Sequence, residues 1–285
     1  MTGGSDALVR RLLAAIACTA VLCLLVIALF IFKEGLPFLF KVGLGNFLLS
    51  SDWRPDAGKY GILSMIASSL WVTFGALLVG APLGMAGAVF LSEFSPTGLV
   101  RFVKPAIELL AGIPSVVFGF IGVMVLAPII RNAGGGPGLS ILAASIVLGV
   151  MILPTIMSIS IDALAAVPPS YREGALALGA TRWQAVRMVV LKAASSGLVA
   201  GAILGMGRAI GETMAVIMVA GNAIKMPDSV LDSARTLTAN IALEMGYATG
   251  LHRQALFATG IALLVVIMIL NGLAAAALRR RGTGT

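Results

Sequence analysis

Residues 139–161 read LSILAASIVLGVMILPTIMSISI, a stretch without one charged side chain. About 18 such residues already favour a membrane-crossing helix over a buried core helix. Working outward, five further apolar runs occupy residues 12–32, 61–92, 106–130, 193–221 and 255–278. The expectation is an all-α polytopic membrane protein with six transmembrane helices. Composition agrees, since 59% of the 285 residues are hydrophobic and 11% charged, against about 25% charged in soluble domains. The formal charge of +8 does not point to nucleic acid, because most Lys and Arg flank the apolar runs and form no soluble basic face.

The first run follows Arg10 and Arg11 as a signal peptide would, but Phe32-Lys33-Glu34 offers no small-residue cleavage site, so a retained helix is expected. Cys18 and Cys23 lie inside it with no acidic or histidine neighbour, as membrane-buried small hydrophobes. Pro82 and Gly84 in the second run predict a tilt, a kink or a protruding end. Gly134-Gly135-Gly136-Pro137 marks a turn that pairs the third and fourth runs as a hairpin. With the N-terminus inside, eleven Lys and Arg lie in cytoplasmic segments and eight outside. The paired Arg at one end and Arg279 to Arg281 at the other sit hard against helix ends, so both termini are expected to be cytoplasmic. Residues 1–60 then form a peripheral helix and external loop, residues 61–278 a bundle of five spans, and residues 279–285 a basic tail.

One cytoplasmic segment, residues 162–192, has its own helical punctuation. Pro168 and Pro169 interrupt the chain, Ser170 and Glu173 have the spacing of a capping box, Gly179 supplies a helix stop, and Thr181 supplies a second cap. Ala175, Leu178, Trp183 and Val186 are placed to pack two short helices together. A surface hairpin that only joins two spans fits this pattern as well as a docking element does.

In the fifth run Arg208 lies about eleven residues from Gly197 and from Val219, about 16 Å by helix rise, too far to reach a headgroup. A mid-membrane Arg facing lipid costs between about 3 and more than 10 kcal/mol, so it must face protein or a water-filled cavity. Glu212 follows at the i+4 position, where it can pair with the guanidinium. Gly197, Gly201, Gly205, Arg208 and Glu212 share one helical sector, and glycines four apart allow another helix close approach. Two readings remain: an internal ion pair that fixes packing, or a translocation path in which Arg208 offers an anion its planar donor fork and Glu212 holds it and limits residence.

These motifs carry a resemblance. Glu173, Ala175, Gly179, Val189 and Leu191 resemble the Glu-Ala-Ala, Gly, Ile-x-Leu-Pro pattern of permease subunits in bacterial ABC importers, with Gly174, Val189 and Lys192 standing where Ala, Ile and Pro are usual. The loss of the proline implies a longer following helix. Ile113-Pro-Ser-Val-Val-Phe-Gly119, Ile152-Leu-Pro-Thr155, Val167-Pro-Pro-Ser-Tyr-Arg-Glu173 and Gly207-Arg-Ala-Ile-Gly-Glu-Thr-Met-Ala-Val216 are together similar to phosphate-specific transport permeases, of the PstC type rather than the PstA type. The resemblance implies the type I importer permease fold, a coupling role for residues 173–191, and phosphate as cargo. It also implies a second, PstA-like permease, two PstB-like ATPase subunits and an external PstS-like phosphate-binding protein. Molybdate or sulfate as cargo is the alternative within the class; an ATP-independent secondary transporter is the alternative outside it.

No Gly-x-x-x-x-Gly-Lys-Ser/Thr occurs, so no cofactor is expected in this chain and ATP is assigned to a partner subunit. A catalytic triad or a histidine metal cluster finds no support, because His252 is the sole histidine. His252 beside Arg253, and Asp52 and Asp56 around Trp53, are expected in solvated external loops. Glu108 is expected as a favourable charge at the start of the third span.

Overall fold

The computed structural model describes residues 3–134 and 136–282. Helix α1 (Gly3–Val42) runs through Pro37 well past the predicted end of the first run. A short α2 (Leu44–Leu49) and a two-stranded hairpin, β1 (Trp53–Arg54) with β2 (Lys59–Tyr60), lead into α3 (Leu63–Val89). A wider π turn, Phe90–Phe94, closes α3. Then follow α4 (Thr97–Gly112), α5 (Ser115–Ile121), a second π turn, α6 (Ala127–Gly134) and α7 (Ile141–Ala165). Helices α8 (Pro169–Ala177) and α9 (Arg182–Ala185) form the hairpin, and a third π turn leads to α10 (Leu191–Ala193). The chain ends through α11 (Ser195–Gly211), α12 (Met214–Val219), α13 (Leu237–Glu244) and α14 (Gly250–Gly282). Residues 283–285 of the expected tail lie outside the described residues, as do the side chains of Arg279 to Arg281.

Among the described residues five helices are long and apolar enough to cross a membrane; a sixth span follows if Arg182–Ala193 and Ser195–Gly211, bent by 69°, count as one. The third predicted span is corrected. Its first residues, 106–112, belong to the separate α4, and the span proper begins at Ser115. Pro114 is the cause: it forces Ile113 into extended geometry at ψ 130°. Glu108 therefore lies exposed in the latter part of α4, not at the start of a span. The bend before Ser195 forms without the usual proline, so Lys192 does not lengthen the helix as expected.

The bundle is built around α7, its most buried helix. Glycines on α3 bring the two backbones together: a Cβ on Gly80 would lie 2.6 Å from Ile152 Cγ1 and 2.7 Å from the Gly149 carbonyl oxygen. On the other side a Cβ on Gly205 of α11 would lie 2.7 Å from Ile156 Cγ1. Lipid tails are as apolar as leucine, so close dispersion contact of this kind is what holds helices together in a membrane. Helix α1 instead leans on α14 and leaves most of its apolar residues exposed.

At the end of the bundle remote from the α8–α9 hairpin, the two long loops do not stay separate. Phe38, Phe47, Trp53, Tyr60, Leu237 and Leu256 bury one another in a shared core. The stretch between α12 and α13 folds back over the start of α7, where Ile141 N donates to Asp232 O at 3.0 Å.

A Gly80→Val substitution is expected to destabilise the bundle by about 1–3 kcal/mol through overpacking, because one of the obstructing atoms is backbone. Gly272→Ala, where an added Cβ meets nothing within 4 Å, is the control. Thermal unfolding of the detergent-purified protein checks the pair: the first drops and the second does not.

Candidate functional site

The fifth apolar run is not one helix. Helix α11 stops at Gly211, Glu212 turns extended at ψ 132°, and α12 starts afresh at Met214. This breaks the geometry behind the expected i+4 pair. Glu212 instead turns its carboxylate to the new helix, where Oε1 accepts from Ala215 N at 3.2 Å, satisfying an amide otherwise orphaned at the helix start. Its carbonyl accepts from Thr238 Oγ1 at 3.0 Å, tying the break to α13.

Arg208 is left without a carboxylate partner among the described residues. Its Nη1 donates to Thr155 Oγ1 of α7 at 3.3 Å, and the side chain is exposed on this single chain. The glycine face predicted for this helix does meet α7, with Gly197 against Ala163, Gly201 against Ile156 and Ser160, and Gly205 against Ile156. Arg208, one turn further, projects from the edge of that contact. A neutral hydroxyl is a weak match for a guanidinium with five donors, so most of its hydrogen-bonding capacity is open.

The α8–α9 hairpin is tightly specified. Leu176 O accepts from Gly179 N at 2.9 Å, and Ala175 O accepts from Ala180 N at 3.2 Å, the paired bonds of a Schellman stop, with Gly179 at φ +84°. Thr181 then caps α9, and Gln184 reaches back to complete a capping box. The Ser170 cap expected from sequence does not form, because Pro169 takes the first helical position behind Pro168. Nor do Leu178 and Trp183 pack the two helices together: Leu178 is 91% exposed, and Trp183 turns to Phe94 at a ring separation of 6.0 Å. What forms is a shallow open groove with Ala175, Leu178, Met188 and Val189 among its lining. Glu173 stands exposed on α8, while Leu191 packs toward the bundle beside buried Val190.

Two charged clusters were not foreseen. At the hairpin end Glu93, 7% exposed, accepts from Arg172 through both carboxylate oxygens. These bonds push the Arg172 guanidinium above its ordinary value. The sequence signal was present, a lone acid directly after the second apolar run. At the other end Glu244 is buried and accepts from Arg235 Nη1 at 2.7 Å and Trp53 Nε1 at 2.9 Å. His252 Nε2 lies 2.8 Å from the same carboxylate and its side chain is 17% exposed, which corrects the solvated role expected for it. Asp52 does stay near solvent, where Arg54 and Lys59 hold its carboxyl below the usual range.

Residues 80–282 match the family model described as binding-protein-dependent transport system inner membrane component. The chain is 46% identical over 264 residues to the probable ABC transporter permease protein YqgH of Bacillus subtilis (strain 168), covering 90% of this chain and 85% of that one. It is 36% identical to the phosphate transport system permease protein PstC of Haemophilus influenzae, covering 80% of each. Among solved structures, a chain of a bacterial alginate ABC transporter superposes with a TM-score of 0.68 at 17% identity over 98% of both chains.

Truncating Glu244 to Leu is expected to lower stability by about 3–5 kcal/mol, because it leaves the Arg235 charge buried without its partner. Trp53→Phe removes a single hydrogen bond to a charged group, a smaller loss of about 1.5–3 kcal/mol. Unfolding temperatures of the two variants should fall in that order.

Proposed function

The chain belongs to the family of binding-protein-dependent transport system inner membrane components, and from that premise we propose that it is the phosphate-conducting permease of an ATP-driven importer. It is a multi-pass permease subunit, and its relatives work with an ATPase and a substrate-binding protein. The observation that carries the cargo assignment is Arg208: a guanidinium within an apolar span, exposed on the lone subunit, with only Thr155 as a hydrogen-bond partner. Such a group must face a second subunit or water, since lipid exposure is too costly. Its planar fork matches a tetrahedral oxyanion. The PstC relatives favour phosphate over other oxyanions.

Arg208 then receives the anion as it crosses, with a second, PstA-like permease closing the path. Glu212, four residues on, holds the helix break in place and sets a negative charge near the anion that limits its residence. The α8–α9 hairpin docks on a PstB-like ATPase that binds the ATP, with Glu173 and Ala175 presented on α8, Gly179 fixing the turn, and Val189 and Leu191 joining the groove to the bundle. On this reading the hairpin end and both termini lie in the cytoplasm, and the Glu244 end faces outward, toward a PstS-like binding protein. Alternating access follows as ATP-driven movement of the hairpin reorients the helices around Arg208.

Arg208→Gln should cut uptake of labelled phosphate at least about tenfold, equivalent to about 1.4 kcal/mol, in cells lacking other phosphate carriers and after normalising to assembled complex. Arg208→Lys should also be impaired, because an ammonium lacks the fork. Glu212→Gln keeps an oxygen for the Ala215 amide while removing the charge, and should lower KM and kcat together. Normal uptake in Arg208→Gln would remove this residue from the path.

Gly179→Val tests docking separately. The φ of +84° penalises a β-branched residue, so the turn is distorted while the bundle is untouched. Co-purification of the ATPase and phosphate-stimulated hydrolysis should both fall; normal assembly with normal stimulation would sink the coupling role.

A further inference from the structure

The hairpin is fastened to the bundle by a small set of strong contacts. Arg172, on α8, donates from Nε to both Glu93 oxygens at 3.2 and 3.1 Å and from Nη2 to Oε1 at 2.5 Å. Its remaining bonds go to Leu164 O and Val167 O, each at 2.9 Å, at and just beyond the end of α7. One guanidinium thus spans the ends of α3 and α7 and the start of α8. Arg182, the first residue of α9, donates to the Glu93 carbonyl and lies over the Phe94 ring at 5.3 Å. Both helices of the hairpin are therefore held by residues 93 and 94, in the π turn that closes α3.

From that turn the contacts run on without a gap. Helix α3 is pressed against α7 at Gly80 and Gly84, and α7 carries Ile152 and Ile156 against Gly205 and Thr155 against Arg208. Packed helices with so little free space move as blocks rather than bending. We propose that Glu93 is a positioning residue which, through Arg172, clasps the hairpin to the α3–α7 pair so that displacement of the hairpin is delivered to Arg208 as one rigid movement. This rests on the hairpin being the ATPase-docking element. A charge-assisted, bidentate bond suits the task because it resists both sliding and rotation, which an apolar contact does not.

The test uses the complete reconstituted importer. Spin labels are placed at Ala177→Cys on the hairpin and Phe90→Cys on the π turn, after Cys18 and Cys23, both exposed, are replaced by Ser. With the clasp intact the label distance should be the same in the nucleotide-free and ATP-trapped complexes. In Glu93→Gln it should shift or broaden on ATP binding, and in Glu93→Asp, which keeps the charge, it should stay single. Phosphate delivered per ATP hydrolysed should fall at least about fivefold in Glu93→Gln, the lower range of coupling between sites, and recover in Glu93→Asp. A distance that changes with ATP in the unaltered clasp overturns the proposal, as does undiminished phosphate per ATP in Glu93→Gln. If Glu93→Gln fails to assemble, Arg172→Lys, which keeps charge without the fork, takes its place with the same two outcomes. Absence of phosphate-stimulated hydrolysis in the unaltered complex counts against the phosphate assignment; the distance measurement needs only ATP and still decides the clasp.

Discussion

Backbone-to-backbone contact through glycine is the interaction on which the rest of this bundle depends. Helix α7 is met on one side by Gly80 and Gly84 of α3 and on another by Gly201 and Gly205 of α11. In lipid no hydrophobic effect drives helices together, so contact area and dispersion must suffice. The consequence is geometric: Ile152 and Ile156 of one helix touch both neighbours, and Thr155 between them meets Arg208. The site is therefore defined by packing that precedes it along every element involved.

That packing explains what was legible in the sequence. Apolar length announced the spans, the start of the third excepted, and four-residue glycine spacing announced a closely packed side of α11, because both are properties of one segment read by itself. Gly179 and Thr181 were legible for the same reason: a helix stop and a helix cap act within a few residues of chain. Ser170 misled because proline at the first helical position competes for the same role.

The misplaced residues share a different cause. Glu212 was assigned to an unbroken helix, yet the chain turns extended there and α13 secures the turn through Thr238. His252 was read as solvated because Trp53, which packs against it, is distant in sequence, and because Glu244, eight residues earlier, reaches it only across the turn between α13 and α14. Glu93 drew no attention because its partner Arg172 lies on another element. Each depends on a contact between segments, and a single sequence gives no pairing between segments.

Three of the charged centres among the described residues differ in a way that bears on mechanism. Glu93 with Arg172, near one end of the bundle, and Glu244 with Arg235, near the other, are closed: each acid accepts more than one hydrogen bond from its arginine or from other donors. Buried pairs of this kind favour one arrangement and are costly to open. Arg208 has only a hydroxyl. A permanent carboxylate at that point would compete with a passing anion in every state, whereas an open fork has differential affinity to offer when the surrounding helices move. Closed pairs at the ends and an open cation between them are the distribution that the proposed anion path requires, with the helix ends held firm and the central donor left free.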